Sequence, residues 1–385
     1  MESVHLKKNK KRNITLSSFD KEVENIKKNQ KNLMIILFIL IVSGFILFII
    51  LITYKAKTKT KIKVNNILNN ELNSELKNNL YKYAELNKKI LDPYIEKQRD
   101  FCVNPQKYYN EQIENEIKLQ KIIVNDISYE MFIYTGVDIV SKTITIYKQY
   151  EGLETINILN ALKCYGKKNN IKRNKDIFML DIGGNIGWYP SFLGRFGYTI
   201  LTFEPMEKNY YLLRKNFCYI NKDSNVIIIN KGLSNIEKNC SYYEDIDNKG
   251  NGMVLCDGIK NEQIKEEFKK QGEVSLTKLS NFIPYLYDKN LALIKMDIEG
   301  SEGKAIEGGI ELINEYHVPY ILIEFTPRTL IEHGTDPKKF LELFIDNGYH
   351  IKLGGFFNQT DAKVNDIMIK VHELINLYFV YEENI

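Results

Sequence analysis

Between residues 177 and 204 the chain carries a pattern that few folds can house. Ile177–Leu180 is an apolar run that stops at Asp181 and opens into Ile182-Gly183-Gly184-Asn185-Ile186-Gly187. A buried strand that ends in a glycine turn lets a ligand lie directly on the backbone, with a helix N-terminus behind it. A second apolar run, Thr199–Phe203, ends in Glu204, 23 residues after Asp181. A doubly wound sheet places there the carboxylate that grips a ribose diol.

The spacing selects the ligand. A dinucleotide fold wants G-x-G-x-x-G set tightly against a pyrophosphate, whereas this loop reads D-x-G-G-N-x-G. An acid before the turn repels a pyrophosphate but suits a ligand that carries an ammonium and a sulfonium, which is S-adenosylmethionine. Ordinary α/β domains also contain glycine turns; Glu204 at its distance is what weighs against that plainer reading.

Leu33–Ile52 is twenty residues without a charge. At about 1.5 Å per residue it spans roughly 30 Å, the thickness of a hydrocarbon core. A cleavable signal has a shorter apolar core and a small-residue cleavage site, so a single transmembrane helix embedded in the lipid bilayer is expected. Lysines flank both ends in similar number, so the positive-inside rule gives no orientation. A type II protein facing a secretory lumen and a domain facing the cytosol both fit. Fourteen Lys and Arg against four acids give Met1–Lys63 a charge of +10; the whole chain is +4, which leaves −6 for the remainder. Basic character therefore belongs to the membrane flanks, and the globular part gives no signal of the basic face that a nucleic-acid substrate normally meets, so none is expected.

The expected order is a polar leader (1–32), the membrane helix (33–52), a helical stem (53–120) and a catalytic domain (121–385). Leu68, Leu72, Leu76, Leu80, Tyr83, Leu86 and Ile90 recur at helical spacing up to Asp92-Pro93; this stripe either pairs with a second copy or folds onto the domain. Tyr129–Tyr134 and Thr143–Tyr147 read as a β-hairpin. Strands then alternate with helices: Ile177–Leu180, Thr199–Phe203, Val226–Ile229, Leu291–Met296 and Tyr320–Phe325, with helices near Leu153–Tyr165, Trp188–Phe196, Glu207–Ile220, Ile259–Lys270 and Ala305–Glu315. Gly348–Lys352 and Leu377–Tyr381 complete the sheet as a terminal antiparallel hairpin. The fold class is α/β, Rossmann-like, with a doubly wound, mostly parallel sheet and ligands at the strand C-terminal ends.

Five cysteines include no C-x-x-C pair, so a zinc site is not expected. Cys102 and Cys164 are candidates for a bridge in a lumen. Asn239-Cys240-Ser241 and Asn358-Gln359-Thr360 are glycosylation sequons, of a kind that an Asn-rich chain also produces by chance.

Taken in order, the motifs resemble the FkbM-type methyltransferases. Asp181 to Gly187 is similar to their cofactor loop, Phe203-Glu204-Pro205 to the second-strand signature, and Asn230-Lys231-Gly232-Leu233-Ser234 to the segment after the third strand. Lys295-Met296-Asp297-Ile298-Glu299-Gly300-Ser301-Glu302 resembles the fourth-strand signature, and Ile323-Glu324-Phe325 with Pro327 the fifth. Gly184 stands where the family more often has Ala. The resemblance spans about Asp126 to Tyr381 and implies an S-adenosylmethionine-dependent class I methyltransferase with a hydroxyl acceptor; together with the anchor it points to a glycan or glycolipid sugar.

The cofactor residues are then Asp181, Gly183, Gly184, Asn185, Gly187, Glu204 and Asn230, with Lys231 an alternative to Asn230 at the adenine. Asp297 is the first candidate for the base, with Glu324 and His333 as further catalytic candidates. Glu299, Glu302 and Glu324 stand nearby to help it or to hold a cation, although Glu302 more simply caps the next helix. No metal is assigned. Lys295 is expected to pair with an acid and His317 to be structural. Trp188 either touches the sulfonium or packs the first helix on the sheet. Two other functions fit parts of the pattern: an anchored glycosyltransferase that uses Asp245 and Asp247 as a D-x-D, and a catalytically silent cofactor-binding module. The Tyr242–Gly258 insertion suits a lid.

Overall fold

The computed structural model describes residues 89–136, 138–220, 225–245, 252–256, 268–286, 288–370 and 373–384. These all belong to one unit, Leu86–Ile385. The leader, the Leu33–Ile52 segment and most of the stem lie outside the described residues. Among the described residues no helix is long and apolar enough to cross a membrane.

Strands β1 (Ile117–Val124) and β2 (Ile127–Tyr134) form an antiparallel hairpin. The sequence pairs Tyr129–Tyr134 with the wrong partner: Thr143–Tyr147 is the end of a helix, Ile139–Tyr147. β-branched residues there read as strand, but Asp138 caps the first turn by accepting from Ser141 N at 2.6 Å. The helix then buries Val140, Ser141 and Ile144 on one face. Capping and a buried stripe outweigh the weak local preference.

The main sheet comprises β3 (Ile177–Ile182), β4 (Thr199–Phe203), β5 (Val226–Ile229), β10 (Asn290–Met296), β11 (Tyr320–Phe325), β12 (Tyr349–Leu353) and β13 (Ile375–Tyr381), ordered β12-β13-β11-β10-β3-β4-β5. The central pairs are parallel, while β13 is antiparallel to both β11 and β12. Every residue of β3 and β4 is buried, which is why these strands read as unbroken apolar runs. Ile177 and Met179 pack on one face, Phe178, Leu180 and Ile182 on the other. At the C-terminal ends the first face turns polar, with Thr202, Asp181 and Lys295 side by side in register.

The edge strand β5 is closed by a helix, Asp92–Val103. Gln98 donates to Val226 O at 2.9 Å and accepts from Ile228 N at 3.0 Å, which supplies a ladder partner to the free edge. Asp92-Pro93 therefore opens a helix, with Pro in the first turn where its missing N–H costs nothing. A disulfide, Cys102–Cys218, ties this helix to Glu207–Ile220.

A second sheet holds β6 (Gly232–Leu233), β7 (Lys238–Asp245), β8 (Gly252–Leu255) and β9 (Phe268–Thr277), in the order β6-β9-β7-β8. Of the helix expected over Ile259–Lys270, residues 268–270 belong to β9, where Lys269 lies opposite Glu244; the rest lies outside the described residues. Cys240–Cys256 is the second disulfide. The Cys102–Cys164 pairing is thus wrong, and Cys164 is the free thiol.

Candidate cofactor and acceptor site

The glycine turn sits between the ends of β3 and β4. Gly183 N and Gly184 N both donate to Phe203 O, at 3.1 and 2.9 Å. Gly183 has φ +88°, and a Cβ there would lie 1.9 Å from Asp297 O. No other residue fits, so the turn is pressed directly onto the end of β10. Asn185 follows at φ +47°, the left-handed region that Asn tolerates. At Gly184 a Cβ would meet Thr202 Oγ1 at 2.3 Å. Here the glycine in place of the family's Ala makes room for Thr202, which donates to Asp181 Oδ2 at 2.8 Å.

Asp181 is fully buried, and its Oδ1 has no partner. Desolvation raises its pKa to about 6, against the pull of Lys295. Glu204 accepts from Asn185 N through Oε2 and from Met206 N through Oε1, both at 2.8 Å. Burial still pushes it up to about 8. The two N–H groups fix its carboxyl in the wall of a cleft of about 640 Å³, which Gly183, Asn185, Asp297 and Glu324 also line.

Across the cleft, carboxylates crowd together. Oxygens of Glu151, Asp297 and Glu324 lie within 4.8 Å of one another. Lys295, 5% exposed, places Nζ 3.3 Å from Asp297 Oδ2 and 3.4 Å from Gly183 O. Burial alone would lower this lysine, but Asp297, Asp181 and Glu151 hold it above its ordinary value. Desolvation raises Glu151 to about 7, Glu299 to about 7 and Glu324 to about 9. This arrangement can accept a proton, and it can orient hydroxyl groups.

Glu151 is the residue the sequence reading missed. It adopts φ +42° before the Gly152–Lys168 helix and accepts a 2.5 Å hydrogen bond from Tyr189 Oη. Nothing about a lone Glu before Gly152 announces a site; a non-glycine residue held left-handed beside two other acids does.

The remaining expected residues divide. His333 lines the cleft, with Nδ1 3.3 Å from Ser301 Oγ, and desolvation lowers its pKa. Asn230 turns its amide onto Glu204 O and Pro205 O at 3.0 and 3.3 Å, so it braces the β4 turn; Lys231 is the one that lines the cleft. Glu302 caps its turn by accepting from Ile298 N and Gly300 N. Trp188 is 3% exposed and donates to Thr155 Oγ1 at 2.9 Å, in the core and not among the cleft residues. His317 stacks on Tyr381 away from the cleft. Asp245 ends β7, and Asp247 lies outside the described residues. From the insertion, Gly252, Val254, Leu255 and Cys256 form one wall.

A parallel α/β sheet with a glycine turn and an acid at adjacent strand ends defines a nucleotide-type ligand site. Residues 181–351 match the family model described as "Methyltransferase FkbM domain", so this stretch is a methyltransferase domain of the FkbM family. The family depends on S-adenosylmethionine, which is the domain's cofactor. The orphaned Asp181 Oδ1 and the glycines of the turn fit such a ligand. Solved structures with a similar fold include magnesium protoporphyrin IX methyltransferase (ChlM) from Synechocystis PCC 6803 with bound SAM. It is 11% identical, with a TM-score of 0.31 over 64% of this chain and 85% of that one. A TehB-like SAM-dependent methyltransferase from Corynebacterium glutamicum is 12% identical, at 0.29 over 62% and 93%. A SAM-dependent methyltransferase from Agrobacterium tumefaciens is 8% identical, at 0.33 over 69% and 70%. No curated protein sequence matches the chain.

Proposed function

We propose that this chain is a membrane-anchored O-methyltransferase acting on a hydroxyl of a glycan or glycolipid sugar. The observation that carries the reading is the meeting of Asp297, Glu324 and Glu151 within 4.8 Å, beside the glycine turn. S-adenosylmethionine, when bound, supplies a methyl group already activated on a sulfonium. Asp181 and the Gly183–Gly187 backbone hold the methionine end, and Glu204 accepts from the ribose hydroxyls. Asp297 orients the acceptor hydroxyl and takes its proton as the methyl arrives. Lys295 bridges Asp297 Oδ2 and Gly183 O. Neighbouring carboxylates suit a polyol, because each accepts hydrogen bonds from two hydroxyls. The uncharged Leu33–Ile52 segment supports the anchor. Incubating the full chain with methyl-labelled cofactor and glycolipid or glycan fractions tests the reading. Label in an alkali-stable sugar methyl ether, absent with Asp297→Asn, supports it; label only in protein or amines contradicts it.

A further inference from the structure

Four of the five cysteines close into two disulfides that join separate segments. Cys102–Cys218 fastens the helix covering the sheet edge, with Cα atoms 5.3 Å apart. Cys240–Cys256 fastens β8, a wall of the cleft, to β7, with Cα atoms 4.6 Å apart. Both separations are ordinary for a disulfide. Such bonds persist in oxidising compartments and are rare where thiols are kept reduced. In an oxidising compartment each thiol pair is oxidised by a disulfide-form oxidoreductase, which leaves as its dithiol.

The two sequons differ in what the fold makes of them. Asn239 lies inside β7, paired opposite Ser275, and the central residue of its sequon is the disulfide-bonded Cys240. Asn358 stands in a surface turn between β12 and the Val364–Lys370 helix, with Asn358, Gln359 and Thr360 all exposed. Its Oδ1 accepts from Thr360 N at 3.0 Å and its Nδ2 donates to Leu353 O at 2.9 Å, a bond the solvent-facing amide exchanges when it is modified. The turn is held from beneath by the buried Phe356, whose ring lies 5.2 Å from Tyr320, while the exposed Phe357 flanks it at 6.1 Å. Tyr320 begins β11, whereas Glu324 sits at the cleft end, about 13 Å along the strand at about 3.3 Å per residue. A bulky, solvated group on Asn358 therefore leaves the cleft clear.

We propose that the catalytic domain works in an oxidising lumen and carries an N-linked glycan on Asn358. The amide nitrogen of Asn358 displaces a polyprenyl diphosphate from C1 of a lipid-linked oligosaccharide, with loss of one proton. The inference uses the anchor reading only for how the domain is carried into the lumen.

The test uses the full chain made in eukaryotic cells and purified from their membranes. The sample is alkylated without reduction, treated with an Asn-glycan amidase, and digested for mass spectrometry. The expected result is Asn358 converted to Asp by the amidase, unmodified Asn239, and linked Cys102–Cys218 and Cys240–Cys256 peptides. Asn358→Gln should then remove the gel shift that the amidase otherwise causes, and Asn239→Gln should leave it in place. An unmodified Asn358, or four alkylated cysteines, overturns the inference. Alkaline extraction of the same membranes scores the anchor separately: a released chain that still carries the glycan upholds the inference and contradicts the anchor.

Discussion

The two walls of the cleft handle buried carboxylates in opposite ways. On the cofactor side Asp181 and Glu204 are each held by local donors, Thr202 Oγ1 for one and two backbone N–H groups for the other. On the acceptor side Glu151, Asp297 and Glu324 crowd around the Lys295 ammonium, with Glu299 beside Asp297. The first arrangement is a rigid socket. The second is a carboxyl cluster that holds protons at neutral pH, because desolvation and mutual repulsion raise Glu324 to about 9, whereas Glu204 in the socket is raised chiefly by burial, to about 8. Lys295 touches both walls, through Gly183 O and Asp297 Oδ2, so binding and chemistry share one fixed charge.

The largest expected effect breaks the acceptor wall alone. Asp297→Asn should lower kcat by roughly 10²–10⁴-fold, the usual loss on removing a general base, and leave the cofactor Kd within about threefold. A parallel loss of cofactor affinity, measured by calorimetry, would mean the walls are not separable.

Gly183→Ala attacks the junction between them. Its Cβ must displace Asp297 O from 1.9 Å, so cofactor affinity should fall by about 100-fold or more, roughly 2.7 kcal/mol. Gly197→Ala is the control: φ is +80° there too, but a Cβ meets nothing within 4 Å. It should cost only about 1–2 kcal/mol of stability and leave binding intact. Equal effects from the two would sink the steric argument.

Stability against pH is a signature that both walls share, since Glu204 in the cofactor wall is raised too, to about 8, and only Glu324 reaches higher. Glu324 and Glu151 have folded pKa values of about 9 and about 7, above the ordinary 4.5. Folding therefore favours their protonated forms. The associated stability is fully present below pH 4.5 and is lost as pH rises through 7 and then 9. The melting temperature without cofactor should fall across that window, by roughly 2–4 °C per kcal/mol lost. Glu324→Gln should flatten the upper part of the fall; an unchanged slope counts against the crowding. The smallest effect belongs to Trp188→Phe, which loses the bond to Thr155 and should cost about 1 kcal/mol of stability, with cofactor Kd unchanged within about twofold.

The cofactor wall was legible in the sequence because it is built from contiguous pieces. Strand, glycine turn and the next strand's acid follow one another, and buried parallel strands advertise themselves as apolar runs. The acceptor wall comes from three separate segments, and only Asp297, Glu299 and Glu324 stand in recognisable motifs. Glu151 precedes an unremarkable Gly, and its partner Tyr189 looks like core. Gln98 was equally hidden, since a polar residue on a helix ordinarily faces water and not an open strand edge. Thr143–Tyr147 was misread because a capped, buried helix overrode the preference of β-branched residues.

The most direct test of the two-wall account is calorimetric titration of the full chain with S-adenosylmethionine, comparing the wild type, Glu204→Gln and Asp297→Asn. The account predicts micromolar binding by the wild type and by Asp297→Asn, and a loss of about 10–100-fold in Glu204→Gln, the cost of leaving buried hydrogen-bonding groups mismatched. Binding that ignores Glu204→Gln, or no binding by a folded wild type, would contradict it.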